Sequence, residues 1–256
     1  MQGRRAYDAG QFEAAADAFS RAVDAAPASA TARVNLGLSL ARLGKGADAS
    51  AQLVTALRLE PDSVDAHAAL GTVLADQGRE EDALSHLRQA FERRPEDLPV
   101  RAGLLRVLVR LRRIDDAIVV LERVRALEPD DEETVVSLSI LLAERQRFRE
   151  AVTLLDESNR RFPHRGPTAT TLARLLASSP DRALRDGARA LELARSTYAA
   201  EPSAVHAETV ALALAELGKC EEAAEWMHRA IAAADGQDGA RLKEELPRYQ
   251  TTSCRR

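Results

Sequence analysis
The chain has 256 residues, 45% hydrophobic and 30% charged, so a substantial core is affordable and global disorder is excluded. Its 36 basic and 40 acidic residues are interspersed and sum to −4, which leaves no global positive field to hold a nucleic-acid backbone. No run approaches the roughly 20 apolar residues of a membrane span, and Met1–Gly10 carries positive charge with no apolar stretch behind it, so no signal peptide is expected.

The first predicted element is short. Residues 1–9 supply only a shortened helix, and Gln2 occupies a phase that elsewhere holds leucine. This edge has no polar cap, which implies either an upstream segment or cover by another subunit. Prolines then stand at Pro27, Pro61, Pro95, Pro129 and Pro163, each 34 residues after the last. A period of that length is the mark of a helical repeat array. Gly10, Gly44 and Gly78 share a phase, as do Ala15, Ala49, Ala83, Ala117 and Ala151. Phe19, Leu53, Leu87, Leu121 and Leu155 follow four residues after those alanines. Apolar positions three and four apart predict amphipathic helices, with the glycine ending the first helix of each unit and the proline closing the second.

After Pro163 the next terminal proline is Pro202, 39 residues on. The excess falls around Ser178–Arg182, where Ser179 is expected to cap a helix with Pro180 at its first position. It reads as a second helix lengthened by one turn, the alternative being a binding loop. A seventh unit has Gly218, Ala223 and Ala230 in phase, with Asp235 in place of the proline. Gly236–Gly239 then breaks the chain, and Leu242, Leu246 and Tyr249 form the stripe of a capping helix that Pro247 distorts. Residues 251–256 read as a frayed tail.

These residues resemble the tetratricopeptide repeat family over almost the whole length. The resemblance implies an all-α, right-handed superhelical solenoid of antiparallel helix pairs A and B, about seven units plus the C-terminal capping helix. The expected units are about 1–29, 30–63, 64–97, 98–131, 132–165, 166–203 and 204–235, with the cap at 236–250. Small residues are needed where A and B cross, so Leu105, where glycine is usual, predicts a wider crossing in the fourth unit. The stretch from Leu175 to Ala194 looks like a variant repeat of many bacterial members.

The resemblance also implies that helix A lines a concave groove. Its rows place Val34, Asn35, Leu38, Arg42, Thr72, Asp76, Arg106, Arg110, Ile140, Glu144 and Arg174 as candidate partner-binding residues. Arg42, Asp76, Arg110 and Glu144 alternate in sign and read as an intramolecular charge ladder, or as charges that a partner displaces. Arg101, Arg106, Arg110, Arg112 and Arg113 form the densest basic patch. It is either a solvated face paired to Asp76, Glu133 and Glu144, or a dock for an acidic segment beside Arg106. Some family members clamp a terminal carboxylate, but the matching positions here, such as Val34, Leu38, Ala69, Pro99 and Gly103, cannot hold one. Others use a ladder of groove asparagines, of which only Asn35 is present.

No catalytic, cofactor or metal constellation is expected. His67, His86, His164, His206 and His228 are scattered without an i, i+4 pair. Cys220 and Cys254 are too few for a disulfide framework and lack a CxxC partner. Cys220, at the start of a helix B in a phase shared with Phe12 and Phe148, reads as a packing residue. The expected function is a non-enzymatic scaffold that binds a peptide or helix of another protein in its groove. The alternative is a module of a larger enzyme or assembly, associating through its N-terminal edge. The expected location is cytoplasmic, or periplasmic or exported if the chain is a processed or excised part.

Overall fold
The computed structural model describes residues 2–163, 166–251 and 254. Among them are fifteen α-helices, one 3-10 turn and no strand. The chain divides into two compact units, residues 1–127 and 128–256.

The first unit holds α1 (Gln2–Asp8), α2 (Phe12–Ala25), α3 (Ala30–Arg42), α4 (Gly46–Leu59), α5 (Val64–Asp76), α6 (Glu80–Arg93), α7 (Leu98–Arg110) and α8 (Ile114–Leu127). From α3 onward each A helix has 13 residues and each B helix 14. The starts of A helices are set by side chains. Ser29, Ser63 and Asp97, each two residues after a proline, accept from the backbone N–H of Ala32, Ala66 and Val100. This fills one of the donors that a helix N-terminus leaves open, while proline ends the preceding helix. B helices start differently. The N–H of Lys45, Arg79 and Arg113 donates back to the carbonyl of Leu40, Leu74 and Leu108, closing a tight turn.

That turn needs a left-handed residue. Gly44 and Gly78 supply it at φ 74° and 75°, whereas Arg112 takes φ 57° at the same phase despite its side chain. An L-residue pays about 1–2 kcal/mol for that conformation.

Core packing follows the period. Ala49, Ala83 and Ala117 are fully buried, as are Leu53 and Leu87 one helical turn after the first two. Gly37 and Gly71 mark the A–B crossings. A Cβ on Gly71 would lie 2.6 Å from Leu87 Cγ and 3.1 Å from the Ala83 carbonyl oxygen, so the backbones approach as closely as glycine allows. Leu105 occupies the same phase in α7, and α7 packs on α8 more sparsely than α5 on α6. The wider crossing expected of the fourth unit is present.

The second unit holds α9 (Glu132–Glu144), α10 (Phe148–Arg161), α11 (Gly166–Ser178), α12 (Gly187–Ala200), α13 (Ala204–Glu216), α14 (Cys220–Ala233) and α15 (Gly236–Tyr249). Asp131 and Ser203 cap α9 and α13, and Ala151, Ala190 and Ala223 are fully buried in their B helices. Gln146 adopts φ 62° at the glycine phase.

The extra residues near Ser179 do not lengthen a helix, because α12 keeps its 14 residues. They form a loop with a 3-10 turn at Arg182–Leu184. Ser179 does not cap a helix. Its hydroxyl accepts from Asp181 N–H at 3.2 Å, Asp181 caps the 3-10 turn, and Asp186 caps α12. The regular turn bond survives across the loop: Asp186 N–H donates to Leu176 at 3.0 Å, in the phase of Lys45 to Leu40. An insertion that restores this bond leaves both flanking helices undisturbed.

Two expectations fail at the C-terminus. Gly236–Gly239 does not break the chain but forms the first turn of α15, which packs on α14 and buries Leu242 and Tyr249. Cys220 is not an ordinary packing residue and Cys254 is not frayed. They form a disulfide with Cα atoms 5.6 Å apart, and Cys254 is fully buried. His164 and tail residues 252, 253, 255 and 256 lie outside the described residues.

Candidate functional site
The helix-A wall of the first unit encloses a cleft of about 870 Å³, within the range of ligand-sized clefts. It is lined by α1, α3, α5 and the start of α7, with Phe19 from α2. Six candidate residues meet there: Val34, Asn35, Leu38, Arg42, Thr72 and Asp76. Val34, Ala69 and Val73 are buried and form an apolar floor. Asn35, Leu38, Ala68 and Thr72 are half-buried and present their side chains to the cleft.

The period explains this placement. Successive A helices start 34 residues apart, so Leu38 and Thr72 fall on equivalent points of neighbouring helices. The small residues Ala68 and Ala69 keep the floor shallow.

The other candidates lie elsewhere. Arg106 stands 3.6 Å from Asp76, and Arg110 bonds Glu80 while donating to the Ala75 carbonyl at 3.2 Å. Ile140, Glu144 and Arg174 belong to the second unit. There Ile140 is 53% exposed, Glu144 is exposed at the end of α9, and Arg174 is bonded to Glu208.

Within the first unit the alternating row does not pair along itself. Arg42 lies over the Phe12 ring at 4.7 Å, and Arg110 pairs with Glu80. Each is the last residue of an A helix and reaches the first residue of the preceding B helix, 30 residues back rather than 34. The guanidinium of Arg110 thereby also complements the carbonyl end of α5. The arginine cluster is likewise no open basic patch. Arg101 is 5% exposed, Arg106 and Arg110 are paired as above, and Arg113 bonds Asp116 at 2.6 Å.

A histidine pair escaped the sequence reading. His67 Nδ1 and His86 Nδ1 are 2.9 Å apart, and His67 Nε2 is 3.0 Å from the Pro61 carbonyl. A carbonyl only accepts, so His67 carries a proton on Nε2, and in the neutral pair its Nδ1 accepts from His86. Burial and the nearby His67 push the His86 pKa below the ordinary value, against the opposing charge of Asp82. The same post exists one unit earlier. Arg33 donates to the Pro27 carbonyl at 2.9 and 3.2 Å and to Gln52 Oε1 at 3.0 Å. Both pairs are 19 residues apart, an offset that could have flagged them.

In the second unit, Glu208 is buried and held by Arg174 at 3.1 Å and Arg241 at 3.0 Å. Burial alone would raise its pKa, but the bonds from Arg241 and the charge of Arg174 outweigh it and hold the carboxyl below the usual range. Among the described residues no cluster of three or more His, Cys, Asp or Glu side chains is arranged to hold a metal. Among the described residues no helix is long and apolar enough to cross a membrane.

Profiles of the tetratricopeptide repeat family match residues 1–49, 35–97 and 74–139, together more than half of the chain. The chain belongs to the tetratricopeptide repeat family. Solved tetratricopeptide repeat structures share the fold. The protein YrrB, described as having an unusual peptide-binding site, is 22% identical, with 78% of this chain and 97% of that chain covered and a TM-score of 0.58. A tetratricopeptide repeat protein from Parabacteroides merdae is 17% identical, covering 97% and 96%, at 0.57. MamA is 20% identical, covering 62% and 92%, at 0.54. At these identities the likeness speaks for the fold. No curated protein matches the sequence. Membership in this repeat family supports a role in protein interaction.

Proposed function
We propose that the protein is a scaffold whose α1–α3–α5 cleft receives a peptide or helix of a partner protein. The observation that carries this is the cleft itself: half-buried Leu38, Ala68 and Thr72 stand over an apolar floor with no chemistry-bearing cluster among them. A shallow apolar trough with polar margins suits an amphipathic helix or extended segment. The peptide-binding description of YrrB is consistent with such a use. A photo-reactive residue placed at Leu38 should cross-link the partner, and the same residue at Ile140 should not. Equal labelling from both positions would overturn the assignment to the cleft.

The disulfide favours a second choice about location. A bond between Cys220 and Cys254 persists in oxidising compartments, which supports an exported over a cytoplasmic setting. Alkylation of the protein from its native cells, followed by mass measurement, should find both sulfurs blocked; two alkylated thiols would contradict it.

A further inference from the structure
We infer that the cleft selects a cationic amphipathic segment, one with lysine or arginine flanking an apolar stripe, and rejects acidic ones. This rests on the reading of the cleft as a peptide site and adds the charge of its occupant.

The inference follows from which hydrogen-bonding groups are already committed. Asn35 Nδ2 donates to the Thr31 carbonyl at 3.0 Å, and Thr72 Oγ1 donates to the Ala68 carbonyl at 3.0 Å. Thr72 spends its single donor on its own helix and Asn35 one of its two, so Asn35 Oδ1, its second amide N–H and the Thr72 lone pairs remain for a ligand, with acceptors in the majority. Asp8, Asp65, Asp76 and Asp97 also line the cleft, against Arg4 and Arg42. Arg42 lies over the Phe12 ring, which occupies one face of its guanidinium.

Some of the carboxylates have partners. Arg94 serves Asp65 and Asp97, Asp97 also caps α7, and Arg106 lies 3.6 Å from Asp76. Neither Arg94 nor Arg106 is part of the lining, and Asp76 remains 65% exposed at its side chain. Asp8 has no ion-pair partner among the described residues. A carboxylate accepts at two oxygens, so one arginine contact does not exhaust it. The cleft therefore offers an apolar floor and an acceptor-rich margin. A lysine or arginine satisfies such a margin; a carboxylate would add an unpaired anion to it.

Two fluorescent 18-residue amphipathic peptides with one leucine stripe would test this, lysine on the polar face of one and glutamate on the other. Titrated into the full chain at low salt, the lysine peptide should bind about tenfold more tightly, and its affinity should fall with added salt. Asp8→Asn with Asp76→Asn should shrink the preference to about threefold or less while leaving the helical circular dichroism unchanged. Leu38→Arg should abolish binding of either peptide by filling the trough.

Equal or tighter binding of the glutamate peptide, with Leu38→Arg still blocking it, would overturn the charge inference and leave the cleft assignment standing. A preference that survives the double asparagine variant would also overturn it. Lysine-peptide binding that survives Leu38→Arg, or no binding by either peptide, would overturn the cleft reading and this inference together.

Discussion

Residues 30–93 and residues 166–254 are built from the same 13- and 14-residue helices, yet they are secured by different means. In the first region the crossings are closed by Gly37 and Gly71, and the surface pairs, such as Arg93 with Asp62, are exposed. Such pairs contribute about 0–1 kcal/mol each, so the periodic apolar crossings dominate. The second region adds ties that do not repeat. Arg185 reaches from the inserted loop to Glu216 at 3.1 Å, with both side chains nearly buried, and also donates to the Ser179 carbonyl at 2.6 Å. Glu208 collects two arginines, and a disulfide fastens Cys254 to the start of α14. The lesson is that a regular repeat is held by what every unit shares. An irregular one needs specific bonds of its own.

The largest test of that contrast is Arg185→Ala. It removes the nearly buried guanidinium that bonds Glu216 and should cost about 3–5 kcal/mol in a chemical melt, with lost amide protection centred on α12 and α13. A cost below about 1 kcal/mol would mean that the inserted loop is secured by packing instead.

Reduction of Cys220–Cys254 comes next. The bond closes a 34-residue separation, and its loss should cost about 2–4 kcal/mol. Hydrogen exchange should show the loss in α14 and α15 and none in α3–α6; uniform loss would dissolve the distinction between the regions.

Within the regular region, Ala83→Leu should overpack a fully buried crossing and cost about 1–3 kcal/mol, read as a lower melting temperature. An unchanged melt would show that the crossing is looser than the approach at Gly71 implies.

Gln146→Gly should act in the opposite direction. It relieves a left-handed residue where Gly44 and Gly78 already serve, and should stabilise by about 1 kcal/mol. No gain would indicate that the Gln146 side chain makes compensating contacts.

The smallest effect is one of pH. His86 has a lowered pKa in the fold, so folding favours its neutral form. Its contribution is full above the ordinary value of 6.5 and declines as pH falls below it toward the lowered value, because the unfolded chain takes up the proton first. His86→Gln, which copies Gln52 opposite Arg33, should remove that slope between neutral and mildly acidic pH. A slope that persists would assign it to other groups.

The cleft was legible in part for a simple reason. Val34, Asn35, Leu38, Thr72 and Asp76 sit on helix A, where phase alone decides which face a side chain takes. Phase does not decide whom a long side chain meets. Arg42 and Arg110 extend to residues 30 positions back, and Arg106 is drawn to Asp76, so the imagined ladder dissolves into cross-element pairs. Donor commitment at Asn35 and Thr72 was equally invisible, since it depends on side-chain rotamers within a formed helix.

By itself the sequence determined the helix pairs and the residues that cross. Those follow from a pattern in which each 34-residue unit buries the same positions against the next. Only the tertiary structure decided that His67 meets His86, that Arg185 meets Glu216, and that Cys254 returns to Cys220. Periodicity specifies a face of a helix, whereas these partnerships depend on the distance and angle at which two faces meet.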